Sequence, residues 1–331
     1  MRIVALEEHF IMPALSARID PQAVLDRGFP GPGVVWSQTT RREGLIDLGP
    51  GRIADMDASG ITVQVLSLAG PGPDLVDGAA GIALARDYND ALAAHVAERP
   101  TRYRGFAQLP LRTPEAAADE LERCIRDLGF HGALINGATD GLFLDHPRFA
   151  PLLARAEALD VPLYLHPGIP SAPVRSEYYD GLPGQMGHTL ALAAWGWHME
   201  TAIHTLRLVL SGALDRHPRL QFIIGHMGEA IPFMLARIDQ TLGAEAKQRL
   251  TRGVAQTILD QVWITTSGFF DAVPFQAALA TFGAGRMMFS VDHPFASNAK
   301  ARAFLDALPV SDEDRARIAH GNADRLLKLV P

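Results

Sequence analysis

Short apolar runs alternate along this chain with longer stretches in which apolar residues recur at helical spacing. Short runs rich in branched and aromatic side chains are typical of strands. The predicted strands are residues 2–6, 61–68, 104–109, 133–136, 162–166, 220–225, 262–267 and 287–291. The predicted helices are residues 74–98, 114–128, 147–159, 188–214, 229–242, 272–282, 300–308 and 312–329. Strands that alternate with helices in this way predict a parallel sheet with helical crossovers.

Eight such units favour a closed (β/α)8 (TIM) barrel over an open doubly wound sheet. Strand segments such as residues 222–224 are apolar throughout, as expected when both faces of a sheet are covered. No GxGxxG motif follows the first strand and no Walker-type lysine loop occurs, which argues against nucleotide binding. Loop insertions are predicted after strand one (residues 11–53) and after strand five (residues 167–187). The whole chain, residues 1–331, is predicted to form a single domain.

Composition narrows the class of protein further. The 331 residues are 48% hydrophobic and 20% charged, which is typical of a globular protein. A net charge of -7, without any long basic run, argues against nucleic-acid binding. The single cysteine, Cys124, lies in a predicted helix, where a buried apolar role is expected. No apolar stretch is long enough to span a membrane and no secretory leader is evident, so a cytoplasmic location is expected.

Ionisable residues follow several of the predicted strands. Glu7 and His9 come directly after strand one, and residues two apart in an extended chain point to the same side. Glu8, on the opposite side, is expected to be structural. The carboxyl ends of barrel strands converge on one mouth, where His166 and Asp292 end strands five and eight. Carboxylate and imidazole donors suit zinc, manganese or iron, and they predict a site for one divalent metal ion, with zinc or manganese favoured and magnesium compatible.

His226 and Glu229 form a second candidate group. His226 ends strand six and Glu229 begins the next predicted helix, so both side chains can lie on one side of the turn. A carboxylate that accepts a hydrogen bond from an imidazole fixes its tautomer and raises its basicity, as proton transfer requires. Complementing the positive end of the helix would explain Glu229 equally well.

Arg237 lies too far along the same helix to reach its own metal site. Eleven residues at the helical rise of about 1.5 Å per residue place it on the order of 16 Å from His226. It is expected either to form a surface ion pair with Asp239 or to serve the site of a neighbouring subunit.

Four other polar residues are weaker candidates. Asn136 ends strand four and faces the same mouth, where it is expected to contact a substrate or to cap the following loop. Glu200 and His204, four apart on a helix, have metal-ligand spacing, but helix packing is favoured because they lie far from a strand end. His293, next to Asp292, fits either a pocket wall or a residue that supports a ligand.

Several segments resemble the amidohydrolase-related, metal-dependent aromatic acid decarboxylases, such as the γ-resorcylate and 2,3-dihydroxybenzoate decarboxylases. They are Leu-Glu-Glu-His-Phe, Tyr-Leu-His-Pro, Gly-His-Met-Gly-Glu, and Phe-Ser-Val-Asp-His-Pro-Phe near the end. The resemblance covers nearly the whole chain in order. Glu-x-His on strand one, in place of His-x-His, points away from the aminocarboxymuconate-semialdehyde branch of that family.

The resemblance implies roles for individual residues. It assigns one divalent ion to Glu7, His9, His166 and Asp292. It assigns proton transfer to His226 and Glu229, with Asp292 as the expected donor. It also implies substrate contacts from Asn136, from Arg237 of an adjacent subunit, and from the aromatic pocket residues Phe29 and Phe295.

The expected activity is the non-oxidative decarboxylation of an ortho-hydroxybenzoate, a small aromatic acid, without an organic cofactor. The chain is expected to form a homo-oligomer, either a tetramer or a dimer. One alternative is a metal-dependent hydrolase of a lactone or amide, which requires the same ligands. A non-catalytic metal-binding protein is disfavoured, because a barrel mouth leaves the metal open to solvent.

Overall fold

Eight parallel strands form the centre of the molecule in a computed structural model that describes residues 1–29 and 39–329, with backbone only for residues 39 and 40. The strands are β1 (Val4–Phe10), β2 (Val63–Leu68), β3 (Tyr103–Gly105), β4 (Ala133–Asn136), β5 (Leu163–His166), β6 (Phe222–Ile224), β7 (Val262–Thr265) and β8 (Met287–Met288). β1 to β3 form one ladder and β4 to β8 a second. Parallel bridges from Ala107 to Ala133 and from Glu8 to His293 join the two ladders at both edges. The strands therefore follow one another around a ring, and the predicted barrel is confirmed.

Helices connect the strands and cover the outside of the ring. Their bounds are α1 (Pro13–Ser16), α2 (Pro21–Asp26), α3 (Thr39–Ile46), α4 (Pro50–Ser59), α5 (Gly78–Glu98), α6 (Pro114–Arg126), α7 (Ala150–Leu159), α8 (Ala172–Tyr178), α9 (Met186–Thr189), α10 (Gly196–Leu210), α11 (Ala213–Arg216), α12 (Ile231–Arg249), α13 (Val254–Gln261), α14 (Ala272–Phe282), α15 (Asn298–Ala307), α16 (Asp312–Ala316) and α17 (Asn322–Leu326). Helices α1 to α3 lie in the first predicted insertion and α8 in the second. No helix among the described residues is long and apolar enough to cross a membrane.

The apolar side chains of the strands form two separate layers. Val4 and Leu6 of β1 belong to a cluster inside the ring, together with Tyr164 of β5. Ala5 instead packs in a larger cluster between the strands and the surrounding helices, which also holds the predicted buried Cys124. Because both faces of the sheet are buried, consecutive apolar residues occur in these strands, such as Val4-Ala5-Leu6 of β1 and Phe222-Ile223-Ile224 of β6.

β1 is longer than predicted and contains an irregularity. It extends to Phe10, so Glu7 and His9 lie within the strand and not after it. Its pairing with β2 shifts register between Ala5 and Glu8. A bulge resets which side chains face inward. As a result Leu6 and Glu7 both face the inside of the ring, and Glu8 faces outward.

The prediction of one continuous helix over residues 188–214 is wrong. The chain instead forms α9, a wide π turn over Leu190–Ala194, and then α10 and α11. Leu192 and Trp195 have non-helical backbone angles (φ -97°, ψ -125° and φ -164°, ψ -57°). At Gly196 an added Cβ would collide with the carbonyl oxygen of Ala191, so the chain can make this break only with glycine there. The break brings the start of α10 toward the carboxyl end of β6.

Candidate active site

The four predicted metal ligands converge at the carboxyl ends of the strands. Nε2 of His166 lies 3.3 Å from Oε1 of Glu7, and Nε2 of His9 lies 3.3 Å from Oδ1 of Asp292. One donor atom from each of the four residues lies within 4.8 Å of the other three. Glu7 and His9 are fully buried, although both are polar.

Two of these donor atoms have no hydrogen-bond partner among the described residues. They are Oε1 of Glu7 and Nε2 of His9. Buried polar atoms are normally satisfied, so two orphans that face one point fit a bound cation. Nδ1 of His9 lies 3.3 Å from Oγ of Ser67. A hydrogen bond from Nδ1 to that oxygen would leave the Nε2 lone pair free for a metal ion.

The second oxygen of Glu7 is held by two hydroxyl groups that the sequence analysis missed. The hydroxyl of Tyr164 donates to Oε2, and Oγ of Ser267 donates to the same oxygen at 2.5 Å. Burial alone would raise the pKa of Glu7, but the imidazoles of His226 and His166 hold it well below its usual range. Tyr164 lies two residues before the ligand His166, so strand periodicity could have identified it.

His226 and Glu229 lie in a strained turn between β6 and α12. His226, Met227, Glu229 and Ala230 all have positive φ angles, between 49° and 62°. Non-glycine residues adopt this conformation at a cost, and such strain is concentrated at functional sites. The prediction that Glu229 begins the helix is wrong, because α12 begins at Ile231.

Glu229 forms a bridge between two histidines. Its Oε1 accepts a hydrogen bond from Nδ1 of His226 at 2.8 Å, and its Oε2 accepts one from Nδ1 of His198 at 2.6 Å. All three residues are buried. His198 did not emerge from the sequence because the break before α10 has no local pattern that predicts it.

The charges of this group differ from those of free side chains. Burial opposes the charge on His226, but Glu229 and Glu7 outweigh it and raise the His226 pKa well above its usual value. Burial likewise opposes the charges on Glu229 and Asp292, yet neighbouring histidines lower the pKa of each carboxyl group. The site therefore favours a protonated imidazole between ionised carboxylates.

A large cavity opens onto these residues. Its volume is about 850 Å³, and His9, His166, Asp292 and His226 line it. The predicted substrate contacts Asn136, Phe29 and Phe295 also line it, as do Arg27 and Trp197. Asn136 pairs in register with His166 on the neighbouring strand. The ring of Phe295 lies 5.7 Å from that of His9 in an edge-on arrangement.

The structure does not bring Arg237 into this group. Arg237 is exposed on α12 and is not among the residues that line the cavity. Among the described residues it has no ion-pair partner within 4.0 Å, so the expected pair with Asp239 is wrong. Asp239 instead accepts a hydrogen bond from the backbone N–H of Ala255.

The remaining candidates have structural partners. Nε2 of His204 accepts a hydrogen bond from the N–H of Leu144 at 2.9 Å, so it does not form a metal pair with Glu200. His293 is not among the residues that line the cavity, and its Nδ1 lies 3.4 Å from Nδ2 of Asn298. Glu8 accepts hydrogen bonds from Gln64 and from the N–H of Val291, which fits its predicted structural role.

Known proteins with similar sequences and structures share this architecture. The amidohydrolase family profile matches residues 34–329. A γ-resorcylate decarboxylase of Rhizobium sp. (strain MTP-10005) is 40% identical, over 98% of this chain and 98% of that protein. A crystal structure of a 2,6-dihydroxybenzoate decarboxylase complexed with 2,6-dihydroxybenzoate has a TM-score of 0.87 and 40% identity, over 99% of this chain and 100% of the other. A dihydroxybenzoic acid decarboxylase of Polaromonas sp. JS666, with bound manganese and the inhibitor 2-nitroresorcinol, has a TM-score of 0.87 and 36% identity, over 99% and 97%.

The barrel, the ligands at its mouth and the length of these matches show that the chain belongs to the amidohydrolase family. Within that family it is one of the metal-dependent aromatic acid decarboxylases, and hence a carboxy-lyase. This confirms the resemblance found in its sequence motifs. The expectation of a divalent metal ion is also confirmed, by the four-residue group and by manganese in the Polaromonas structure.

Proposed function

We propose that the protein decarboxylates an ortho-hydroxybenzoate, with 2,6-dihydroxybenzoate as the first compound to test. The observation that carries this proposal is the position of Oε1 of Glu7 and Nε2 of His9. Neither atom has a hydrogen-bond partner among the described residues, and the two lie 4.0 Å apart. His9 lines the cavity together with Phe29, Phe295 and His226, and Oε1 of Glu7 lies 3.3 Å from Nε2 of His166, which also lines it. Such a cavity fits a flat aromatic ring with polar groups on one edge.

The reaction exchanges a carboxylate for a proton on the ring. A proton adds to the carboxyl-bearing carbon, and the bond from that carbon to the carboxylate then breaks. Its electron pair returns to the ring, and carbon dioxide leaves. One proton is consumed for each molecule of carbon dioxide released.

Glu7, His9, His166 and Asp292 are proposed to hold the divalent ion, which we expect to be manganese or zinc. When bound, the ion would act as a Lewis acid toward the substrate's carboxylate and ortho-hydroxyl oxygens, fixing the ring in place. Asn136, beside His166, is proposed to donate a hydrogen bond to a ring substituent. Phe29 and Phe295 are proposed to pack against the ring.

His226, Glu229 and Asp292 are proposed to manage the proton. His226 directs Nε2 toward the site, 3.9 Å from Oδ2 of Asp292 and 3.7 Å from Oε1 of Glu7. Because Glu229 stabilises its protonated form, His226 is suited to hold the proton before the reaction. Asp292 is proposed to pass that proton to the ring carbon once the substrate displaces its contact with His9.

Arg237 is proposed to act on the site of a neighbouring subunit. On α12 it lies beside Phe233 and Met234, whose exposed fractions of 82% and 42% are large for apolar side chains. Exposed apolar residues beside an unpaired cation are typical of a contact surface between subunits. A homo-oligomer, either a dimer or a tetramer, is therefore part of the proposal.

The test is carbon dioxide release by manganese-loaded or zinc-loaded protein from 2,6-dihydroxybenzoate, 2,3-dihydroxybenzoate and salicylate. 4-Hydroxybenzoate, which lacks an ortho-hydroxyl group, is the matched negative substrate. We expect gas release from at least one ortho-hydroxy acid and none from 4-hydroxybenzoate. Silence across the panel, or ring opening of an aromatic lactone without gas release, would refute the decarboxylase proposal and favour a hydrolase.

A further inference from the structure

A second cluster of titratable side chains lies beside the metal ligands and is only partly explained by the proposed reaction. It consists of His198, His226 and Glu229. His226 is directed at the metal ligands and Glu229 supports it, but His198 is not among the residues that line the cavity. Its side chain is 9% exposed, so it is a buried polar group that the proton chemistry above does not use.

The contacts of His198 are specific. Nδ1 lies 2.6 Å from Oε2 of Glu229, the oxygen that His226 does not occupy. Nε2 lies 3.0 Å from the carbonyl oxygen of Ala193 and 3.2 Å from Nε1 of Trp197. The same ring therefore contacts both Glu229 and the π turn that precedes α10.

The ring of Phe269 packs against both histidines. The ring of Phe269 lies 5.5 Å from that of His198 and 5.6 Å from that of His226, edge-on to both. The two imidazole rings lie 4.6 Å apart. Because these side chains are buried, a hydrogen bond to the Glu229 carboxylate is strong, and a carboxylate oxygen without a hydrogen-bond donor would destabilise the folded protein.

An ionised carboxylate only accepts hydrogen bonds. Glu229 therefore requires a hydrogen on Nδ1 of each histidine, which leaves Nε2 of His226 directed at the substrate. With His198 in place, the carboxylate is held at both oxygens and its plane is fixed. Without His198, the carboxylate would be free to rotate or to bind water, and His226 would lose its orientation.

We propose that His198 is a positioning residue for the decarboxylation. It donates a hydrogen bond to Oε2 of Glu229, and Glu229 in turn accepts one from Nδ1 of His226, so that Nε2 of His226 faces the substrate. This inference rests on the proposed function for its catalytic consequence. The arrangement of the three side chains does not depend on that function.

Two substitutions separate the hydrogen bond from the packing. In His198→Asn the amide nitrogen occupies the position of Nδ1 and can still donate to Glu229. In His198→Phe the ring fills the same space without a donor. His204→Gln is the matched control, because His204 is a buried histidine of the same helix that accepts a hydrogen bond from Leu144 and does not contact Glu229.

The expected kinetic result is a change in kcat with KM preserved. His198→Phe should lower kcat by about 10-fold to 100-fold, the usual cost of removing an outer partner of a functional imidazole. His198→Asn should recover most of that loss, and His204→Gln should retain the wild-type kcat. Metal content should be unchanged in all three variants. Wild-type kcat in His198→Phe, or equal loss in the Asn and Phe variants, would overturn the proposal.

A readout that needs no substrate keeps this test separate from that of the proposed function. Zinc-loaded protein with ¹⁵N-labelled histidine should show hydrogen-bonded Nδ1–H signals for both His198 and His226. His198→Phe should remove one signal and shift the other, whereas His198→Asn should leave the His226 signal close to its wild-type position. A His226 signal unchanged in His198→Phe would overturn the positioning role, even if wild-type protein released carbon dioxide. If the panel of acids gave no carbon dioxide, only the decarboxylase proposal would fail.

Discussion

Glu7 divides its two carboxylate oxygens between two tasks. Oε2 accepts hydrogen bonds from Tyr164 and Ser267, and Oε1 has no hydrogen-bond partner in the described part of the chain. The hydroxyl groups fix the plane of the carboxylate, so Oε1 is held toward His9 and His166 before any ion binds. A ligand fixed in this way loses little entropy when the metal arrives.

Glu7→Gln should therefore weaken metal binding strongly. The amide keeps the shape of the side chain but removes the negative charge, and we expect metal affinity to fall at least about 100-fold. The measurement is metal content after dialysis against a chelator of graded strength.

Glu8→Gln is the matched control for that variant. Glu8 is equally buried but faces outward, and burial raises its pKa to about 8, so it is largely uncharged at neutral pH. An amide at this position should leave metal affinity near the wild-type value. Equal metal loss in both variants would contradict the assignment of Glu7 as a ligand.

His204 gives a prediction about pH and stability. Burial and the nearby Arg207 lower its pKa from 6.5 to about 3 in the folded protein. Between these two pH values the imidazole is protonated in the unfolded chain but not in the folded one. The contribution of His204 to the free energy of unfolding is therefore complete above pH 6.5 and is lost as the pH falls toward 3. Between pH 7 and pH 5, the free energy of unfolding should fall by about 2 kcal/mol less in His204→Gln than in the wild-type protein. The measurement is urea unfolding of both proteins at the two pH values. An equal fall in the free energy of unfolding in the wild-type protein and in the variant would contradict the prediction.

At the scale of elements, the approach of β6 to β1 depends on Gly225. A Cβ added at Gly225 would lie 2.6 Å from Oε2 of Glu7 and 2.9 Å from Oγ of Ser267. Only glycine lets the end of β6 come this close to the carboxylate. Gly225→Ala should displace Glu7, so metal affinity should fall while the barrel still folds.

Gly243→Ala is the control for that variant. Gly243 lies in α12 with no atom near its missing Cβ. Alanine favours a helix over glycine by about 1 kcal/mol, so this variant should gain thermal stability and keep its metal. Calorimetry and metal analysis would check both variants. A Gly225→Ala protein with full metal content would show that the close approach is not required.

Most of the strands, and the four residues that the structure brings together as a candidate metal group, could be predicted from the sequence because both depend on local pattern. Apolar runs such as residues 222–224 predict a buried strand without knowledge of their neighbours. His166 ends β5 as predicted, whereas β8 ends at Met288 and Asp292 lies in the segment that follows it. The turn that holds His226 and Glu229 could not be predicted, because tertiary contacts hold its residues at positive φ. His198 was missed because Gly196 permits the break before α10 but does not by itself predict it, since single glycines also occur inside continuous helices.

At the scale of the whole molecule, the exposed face of α12 leads to a test of subunit contact. If Arg237 serves a neighbour's site, Glu7→Gln and Arg237→Ala should each be inactive alone. Mixed oligomers, made by co-expression, should regain part of the activity, because a subunit with an intact Glu7 receives Arg237 from the other. The decisive measurement is carbon dioxide release by the purified mixed oligomer.

The two variants also control for each other. In a purified oligomer of either variant, every subunit carries the same substitution. Equal amounts of the two purified variants should therefore stay inactive when mixed, unless subunits exchange between oligomers. If the co-expressed mixed oligomer were no more active than the two separate variants, Arg237 would not contribute to the site of a neighbouring subunit. Phe233→Asp should lower the molecular mass in solution. The single domain, the oligomer and the cytoplasmic location stay predictions.

Segments from the first and last parts of the chain lie side by side in the ring. The N–H of His9 donates to the carbonyl oxygen of His293 at 2.7 Å, and Arg2 forms an ion pair with Asp324 at 3.0 Å. An ion held jointly by Glu7, His9 and Asp292 would thus cross-link the first and last strands, closing a loop of nearly the entire chain. Closing so long a loop is entropically costly and comes late in folding. The metal would then stabilise the closed barrel, so that its removal should first speed amide hydrogen exchange in β1, β5 and the segment after β8, which carry the proposed ligands, while β3, which carries none, stays protected.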